Sequence, residues 1–206
     1  MNKDTFKNCI SAICQEMEAN KEYLIALDQQ NGDGDLGISM NNGFRSVQSL
    51  LETSTEDDLG LLMLKSSSVF NESAPSTLGT ILSIGFMGMA KTLKGKKDVD
   101  FRGFAEAFRA GIEHIMKKAG AKPGEKTILD ALCPASEAFL QNVDTPERAI
   151  ALAVEAADSG SDATREMTAV HGHAARYGEK SLGILDGGAV AGKLIVRGIC
   201  SKITQE

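Results

Sequence analysis

No tryptophan and only two tyrosines occur in 206 residues, beside eight phenylalanines, so platforms for stacking nucleic-acid bases are scarce. Positive charge is short as well. With 22 Lys and Arg against 28 Asp and Glu the net charge is -6 and the pI near 5.2, which argues against broad binding to nucleic acid or to anionic membranes. A polyphosphate ligand would need a cation as intermediary. The four cysteines, Cys9, Cys14, Cys133 and Cys200, contain no CxxC pair and read as free core thiols rather than as zinc ligands or disulfides. The longest apolar run, residues 78–90, is too short to span a bilayer, and residues 1–10 are polar with no signal core. A cytoplasmic protein with neither a nucleic-acid nor a membrane partner is expected.

Strand alternation, internal repeats and low-complexity linkers are missing too. What remains is helical spacing. Phe6, Ile10, Ile13, Cys14 and Met17 share one helical face, and Ile38, Phe44, Val47 and Leu51 another. Further helices are expected over 56–70, 77–94, 100–119, 127–141, 146 to about 173, and 187–202. Thr145-Pro146-Glu147 supplies a cap, a proline at the first helical position and an acid in the first turn. The connections are short, which favours antiparallel neighbours, and a 42% hydrophobic chain of this length fills one core. An all-α bundle or barrel, one domain over 1–206, follows. If directions alternate, every second connection returns to the same end.

At one such end Leu27-Asp28-Gln29-Gln30-Asn31-Gly32-Asp33-Gly34-Asp35-Leu36-Gly37 crowds three carboxylates and three glycines into eleven residues. Any one Asp-Gly pair is an ordinary turn, and a single Asp an ordinary cap. Three together repel one another unless a cation sits among them. A calcium EF-hand fails on register: counting from Asp28 puts Asp33 where glycine is required and Ser39 where glutamate is required, and counting from Asp33 ends on Phe44. Magnesium suits Asp28, Asp33 and Asp35, because it takes few protein carboxylates and completes its shell with water and phosphate oxygens.

Other segments offer partial signals. Asn71 to Thr80 leads small hydroxylic residues into an apolar helix, where Ser76 or Thr77 either caps a buried helix or opens an amide-lined phosphate site. Lys122-Pro123-Gly124-Glu125-Lys126-Thr127 either clamps a nucleotide or merely joins two helices. The run from Gly187 to Leu194 misses the P-loop pattern, since Leu194 cannot ligand magnesium and no strand precedes it. Asp186 and Gly187 are read as a helix start bordering the site. His171-Gly172-His173 reads as a solvated helix end rather than a zinc site, and no Ser, His and acid set suggests a covalent nucleophile.

Tyr23-Leu24 and Leu27-Asp28, then Gly32-Asp33-Gly34-Asp35-x-Gly, Asn42-Gly43-Phe44, Leu78-Gly79-Thr80, Pro123-Gly124-Glu125-Lys126-Thr127 with Asp130, and Tyr177-Gly178-Glu179-Lys180-Ser181 follow in an order that resembles the nucleotide-binding L subunit of dihydroxyacetone kinases, the DAK2-type domain. The resemblance spans nearly the whole chain. It implies an eight-helix antiparallel up-and-down barrel with the nucleotide at one end, and two Mg2+ ions on Asp28, Asp33 and Asp35. It implies that amides around Gly37, Ile38 and Ser39 and around Ser73, Ala74, Ser76 and Thr77 meet phosphates, and that Gly124, Lys126, Thr127, Lys180, Asp186 and Gly187 border ADP or ATP.

Such a chain works only with a K-type subunit that holds the ketose. In the phosphotransferase-system branch ADP is a fixed cofactor rephosphorylated by an M-type phosphodonor, and a free-standing L chain of this length looks like that branch. Leu36 stands where the family usually has His, Lys180 where it often has Arg, Asn71 to Ser76 where it has a glycine-rich stretch, and Asp186-Gly187-Gly188 for Asp-Pro-Gly. These departures keep open a non-catalytic nucleotide-sensing or regulatory module as the rival to a glycerone-type kinase subunit.

Overall fold

Helical spacing is realised throughout the computed structural model, which describes residues 1–203; the last three residues of the expected 1–206 domain lie outside the described residues. The α-helices are α1 (Lys3–Ala19), α2 (Lys21–Asp28), α3 (Leu36–Thr53), α4 (Leu59–Ser73), α5 (Thr77–Leu93), α6 (Phe101–Ala119), α7 (Leu129–Gln141), α8 (Pro146–Ala163) and α9 (Gly187–Cys200). Among the described residues the only β pairing is one isolated bridge between Asn2 and Asp98. None of their helices is long and apolar enough to cross a membrane.

The helix termini are set locally. Asp58, Ser76, Asp100 and Asp186 each accept from the amide three residues on, and Gly120 ends α6 in the left-handed conformation. Among the described residues nine α-helices replace the expected eight because the N-terminal segment breaks at Asn20, whose backbone leaves the helical region at φ -108° and ψ 9°. Its side-chain amide donates to the Glu16 carbonyl, while its own carbonyl starts α2 by accepting from Leu24. The short α2 buries Leu24 and Leu27 and carries Asp28 at its end.

Helix α8 stops at Ala163, about ten residues before the expected end near His173. The Thr164 hydroxyl turns back onto the Ser161 carbonyl at 2.6 Å, a single 3-10 turn follows over Thr164–Glu166, and Gly172 takes a φ of 67° that no helix continues through.

Packing closes the helices into a ring of neighbours: α1 touches α3, each later helix touches the next, and α9 returns to α1. One end is tied by Lys3 donating to the Ser54 carbonyl, by Asp58 accepting from Gly95, and by Arg102 against Asp144. Connections 54–58, 94–100 and 142–145 therefore share that end. The connections α2–α3, α4–α5, α6–α7 and α8–α9 meet at the other, around one cavity. The interior is apolar, and the phenylalanines serve it: Phe44, Phe70 and Phe86 form one chain of ring contacts, and Phe101, Phe104, Phe108 and Phe139 another. The four cysteines are buried and free, with burial pushing the thiols of Cys9 and Cys200 up to about 12.

Candidate functional site

The α2–α3 loop turns sharply because Gly34 adopts a φ of 78°, and its amide donates to Asp28 Oδ2 at 2.8 Å. That bond fixes the Asp28 carboxylate at the base of the loop. Asp33 and Asp35 are exposed, and one oxygen from each of Asp28, Asp33 and Asp35 lies within 4.8 Å of the others. Asp35 occupies the N-cap position of α3, yet its side chain makes no capping bond. Its carboxyl is held above the ordinary carboxylate range by burial first, then by the charges of Asp33 and Asp28, with His173 opposing.

Among the described residues none of the three carboxylates pairs with a lysine or arginine, and the His173 ring lies beside them, Nδ1 to Asp33 Oδ2 at 3.9 Å. Three hard oxygen donors at this spacing, mutually repelling and largely unpaired, fit magnesium.

These carboxylates wall a cavity of about 590 Å³, a size suited to a nucleotide-scale ligand. Asn31 and Leu36 complete its first side. Pro75, Ser76, Thr77, Leu78, Thr80 and Ile81 come from the start of α5, Lys126, Thr127 and Ile128 from the α6–α7 connection, and 171–174 and 185–188 from the α8–α9 connection. The Ser76 hydroxyl accepts from Gly79 at 3.1 Å as a plain cap, and the turn it caps faces the cavity. Asp186 caps α9 through Ala189 at 2.7 Å, and burial pushes its carboxyl up to about 7, with the Asp130 and Asp28 carboxylates adding to the rise and Lys126 opposing it.

Several expected site residues take other places. Ser73 and Ala74 close α4, where the Ala74 amide bonds to the Phe70 carbonyl and the side chain is fully buried. Gly37 and Ser39 are buried in the first turns of α3 and Ile38 is exposed there, none of them in the cavity wall. Gly124 is taken up in the loop, its amide donating to the Asp130 carboxylate, and Lys180 is exposed outside the wall. Lys126 does line the cavity, but its ammonium is spent on the carbonyls of Thr164, Met167, Ser181 and Ile184 and is not available to clamp a phosphate. Its backbone is left-handed at a φ of 60°, costing about 1–2 kcal/mol that the surrounding bonds must offset.

The histidines read as a solvated helix end instead line the cavity. His171 Nε2 lies 2.7 Å from Glu125 Oε2, and that bond holds the Glu125 carboxyl below its ordinary value, helped by the Lys122 amide. The signal in the sequence was Gly172, a helix-breaking residue between two polar rings.

A family model described as the DAK2 domain matches residues 30–201. The chain is 30% identical over 192 residues to the protein of Listeria innocua named PEP-dependent dihydroxyacetone kinase 2, ADP-binding subunit DhaL, covering 91% of this chain and 88% of that one. It is 29% identical over 174 residues to the ADP-binding subunit DhaL of the PEP-dependent dihydroxyacetone kinase of Escherichia coli K12, covering 82% of each. The fold matches the crystal structure of the dihydroxyacetone kinase from C. freundii in complex with AMP-PNP and Mg2+, with a TM-score of 0.76 at 23% identity, over 95% of this chain. This chain spans about a third of that protein, 33% of its length.

Proposed function

The chain belongs to the DAK2 domain family, and from that membership we propose that it is the nucleotide-binding subunit of a dihydroxyacetone-type kinase, a phosphotransferase active only with a partner. The single observation that carries the reading is the acidic trio of Asp28, Asp33 and Asp35 at the wall of a cavity bordered by the first turns of α5 and α9. Helix starts offer amides and a positive dipole to phosphates, and the trio holds what the acidic chain needs to meet them, a divalent cation.

Magnesium, two ions in the full site, would be held by Asp28, Asp33 and Asp35 and would neutralise the phosphate oxygens of ADP or ATP. Ser76, Thr77, Thr127, Asp186 and Gly187 border the nucleotide. The phosphoryl group then passes in line to a hydroxyl of a short ketose presented by a K-type subunit, with no covalent intermediate on this chain. Relatives named as ADP-binding subunits of PEP-dependent kinases support ADP as the bound nucleotide; its retention as a cofactor, an M-type phosphodonor that serves it, a cytoplasmic setting and 1–206 as one domain are parts of the same proposal.

One observation favours a second reading. Lys126 is the only Lys or Arg among the described residues that wall the cavity, and its charge is consumed, which suits a nucleotide-sensing module without turnover. Phosphoryl transfer to dihydroxyacetone with a purified K-type subunit separates the two. For the binding itself, Asp33→Ala is expected to abolish magnesium-dependent ADP retention in calorimetry while leaving the helical content intact. Wild-type affinity in that variant would refute the assignment.

A further inference from the structure

Lys126 sits in a finished coordination shell. Its Nζ reaches the carbonyls of Thr164 and Met167 at 2.6 and 3.1 Å on one limb of the 164–184 excursion, and those of Ser181 and Ile184, both at 2.7 Å, on the other. An ammonium has three protons, so four oxygens surround it as they surround a compact monovalent cation, by charge more than by direction.

The residue is only 3% exposed and is delivered by a loop with its own brace, the Asp130 carboxylate accepting from Gly124 and Thr127. The preceding residue grips the crest of the same excursion: Glu125 takes His171 through its carboxylate and Val170 through its carbonyl. Two adjacent residues thus hold both limbs and the crest.

We propose that Lys126 is a positioning residue, a tethered monovalent cation whose carbonyl shell clamps both limbs of the 164–184 excursion and so seats His171 and His173 at the mouth of the cavity; once emptied, the shell takes a free ammonium ion in its place. Its consequence for Mg-ADP rests on the function proposed above, while the clamp itself does not.

The test compares Lys126→Ala, which empties the shell, with Lys126→Met, which fills it with an uncharged stem. Hydrogen exchange of residues 164–186 and calorimetric Mg-ADP affinity are measured in tetramethylammonium chloride and in ammonium chloride at equal strength. Lys126→Ala is expected to lose protection over 164–186 but not over α4 to α6, to bind Mg-ADP at least about tenfold more weakly, and to regain both in ammonium. Lys126→Met loses the same protection and regains nothing.

Wild-type protection of Lys126→Ala in tetramethylammonium, or no recovery specific to ammonium, overturns the proposal. If Lys126→Ala folds in neither salt, Lys126→Met decides: wild-type protection of 164–186 overturns the clamp, and a loss confined to that segment upholds it. If the wild-type chain ignores Mg-ADP while the two variants show this exchange pattern, the kinase reading is lost and the clamp is kept.

Discussion

At Asp186 one carboxyl meets two opposed demands. As the cap of α9 it accepts the Ala189 amide, which favours the ionised form, but burial beside Asp130 and Asp28 wins and lifts it to about 7. A carboxyl raised in the folded state binds its proton more tightly there than in the unfolded chain. Its contribution to stability is therefore full below the ordinary carboxylate value and is lost as pH rises from about 4 through about 7. Asp186→Asn keeps an oxygen for the cap and removes the ionisation. In magnesium-free urea titrations the variant is expected to gain on wild type by roughly 2 kcal/mol between pH 5 and pH 8, since each tenfold difference in proton affinity between folded and unfolded chain is worth about 1.4 kcal/mol. Parallel pH profiles for the two proteins would contradict the assignment. The cap was legible from Asp186 preceding a small-residue helix, whereas the burial that sets its protonation was not.

Elements decide the register of the site. Pro134 inside α7 cannot donate to the Asp130 carbonyl, and Gly160 of α8 packs its bare Cα against that same carbonyl. Because Asp130 also braces the 124–127 loop, the α7–α8 contact positions one wall of the cavity. An exposed helical Gly→Ala change normally stabilises by about 1 kcal/mol. Gly160→Ala should reverse that sign, because the new methyl meets backbone rather than a movable side chain, and lower the thermal midpoint measured by circular dichroism. A raised midpoint would show that the two helices can part there at no cost.

Most helices were legible within a few residues, for their spacing and caps act over one or two turns. The end of α8 and the separate α2 were not. The break at Asn20 lies in a stretch of ordinary helix formers, and just past the halt at Ala163 the Thr164 carbonyl is taken up by a lysine 38 residues away.

For the whole molecule, the ring brings four loops to one end and sets the three clustered carboxylates on one wall of the cavity there. Ligand binding to the folded state alone must then raise stability, by about 2.7 kcal/mol when the ligand is at a hundred times its dissociation constant. Magnesium with ADP is expected to raise the unfolding temperature, and EDTA to abolish the rise. An unchanged midpoint would reduce the acidic loop to casual turns.

Sequence alone determined the helical class and the acidic trio, because 3.6-residue spacing, caps and an Asp-Gly turn act between near neighbours. Only the tertiary structure decided what Lys126 and the histidines do. The partners of Lys126 lie 38 to 58 residues away and Glu125 lies 46 residues from His171, so their roles depend on how the ring closes. A charge that reads as a phosphate clamp in one dimension becomes an internal staple once four carbonyls arrive first.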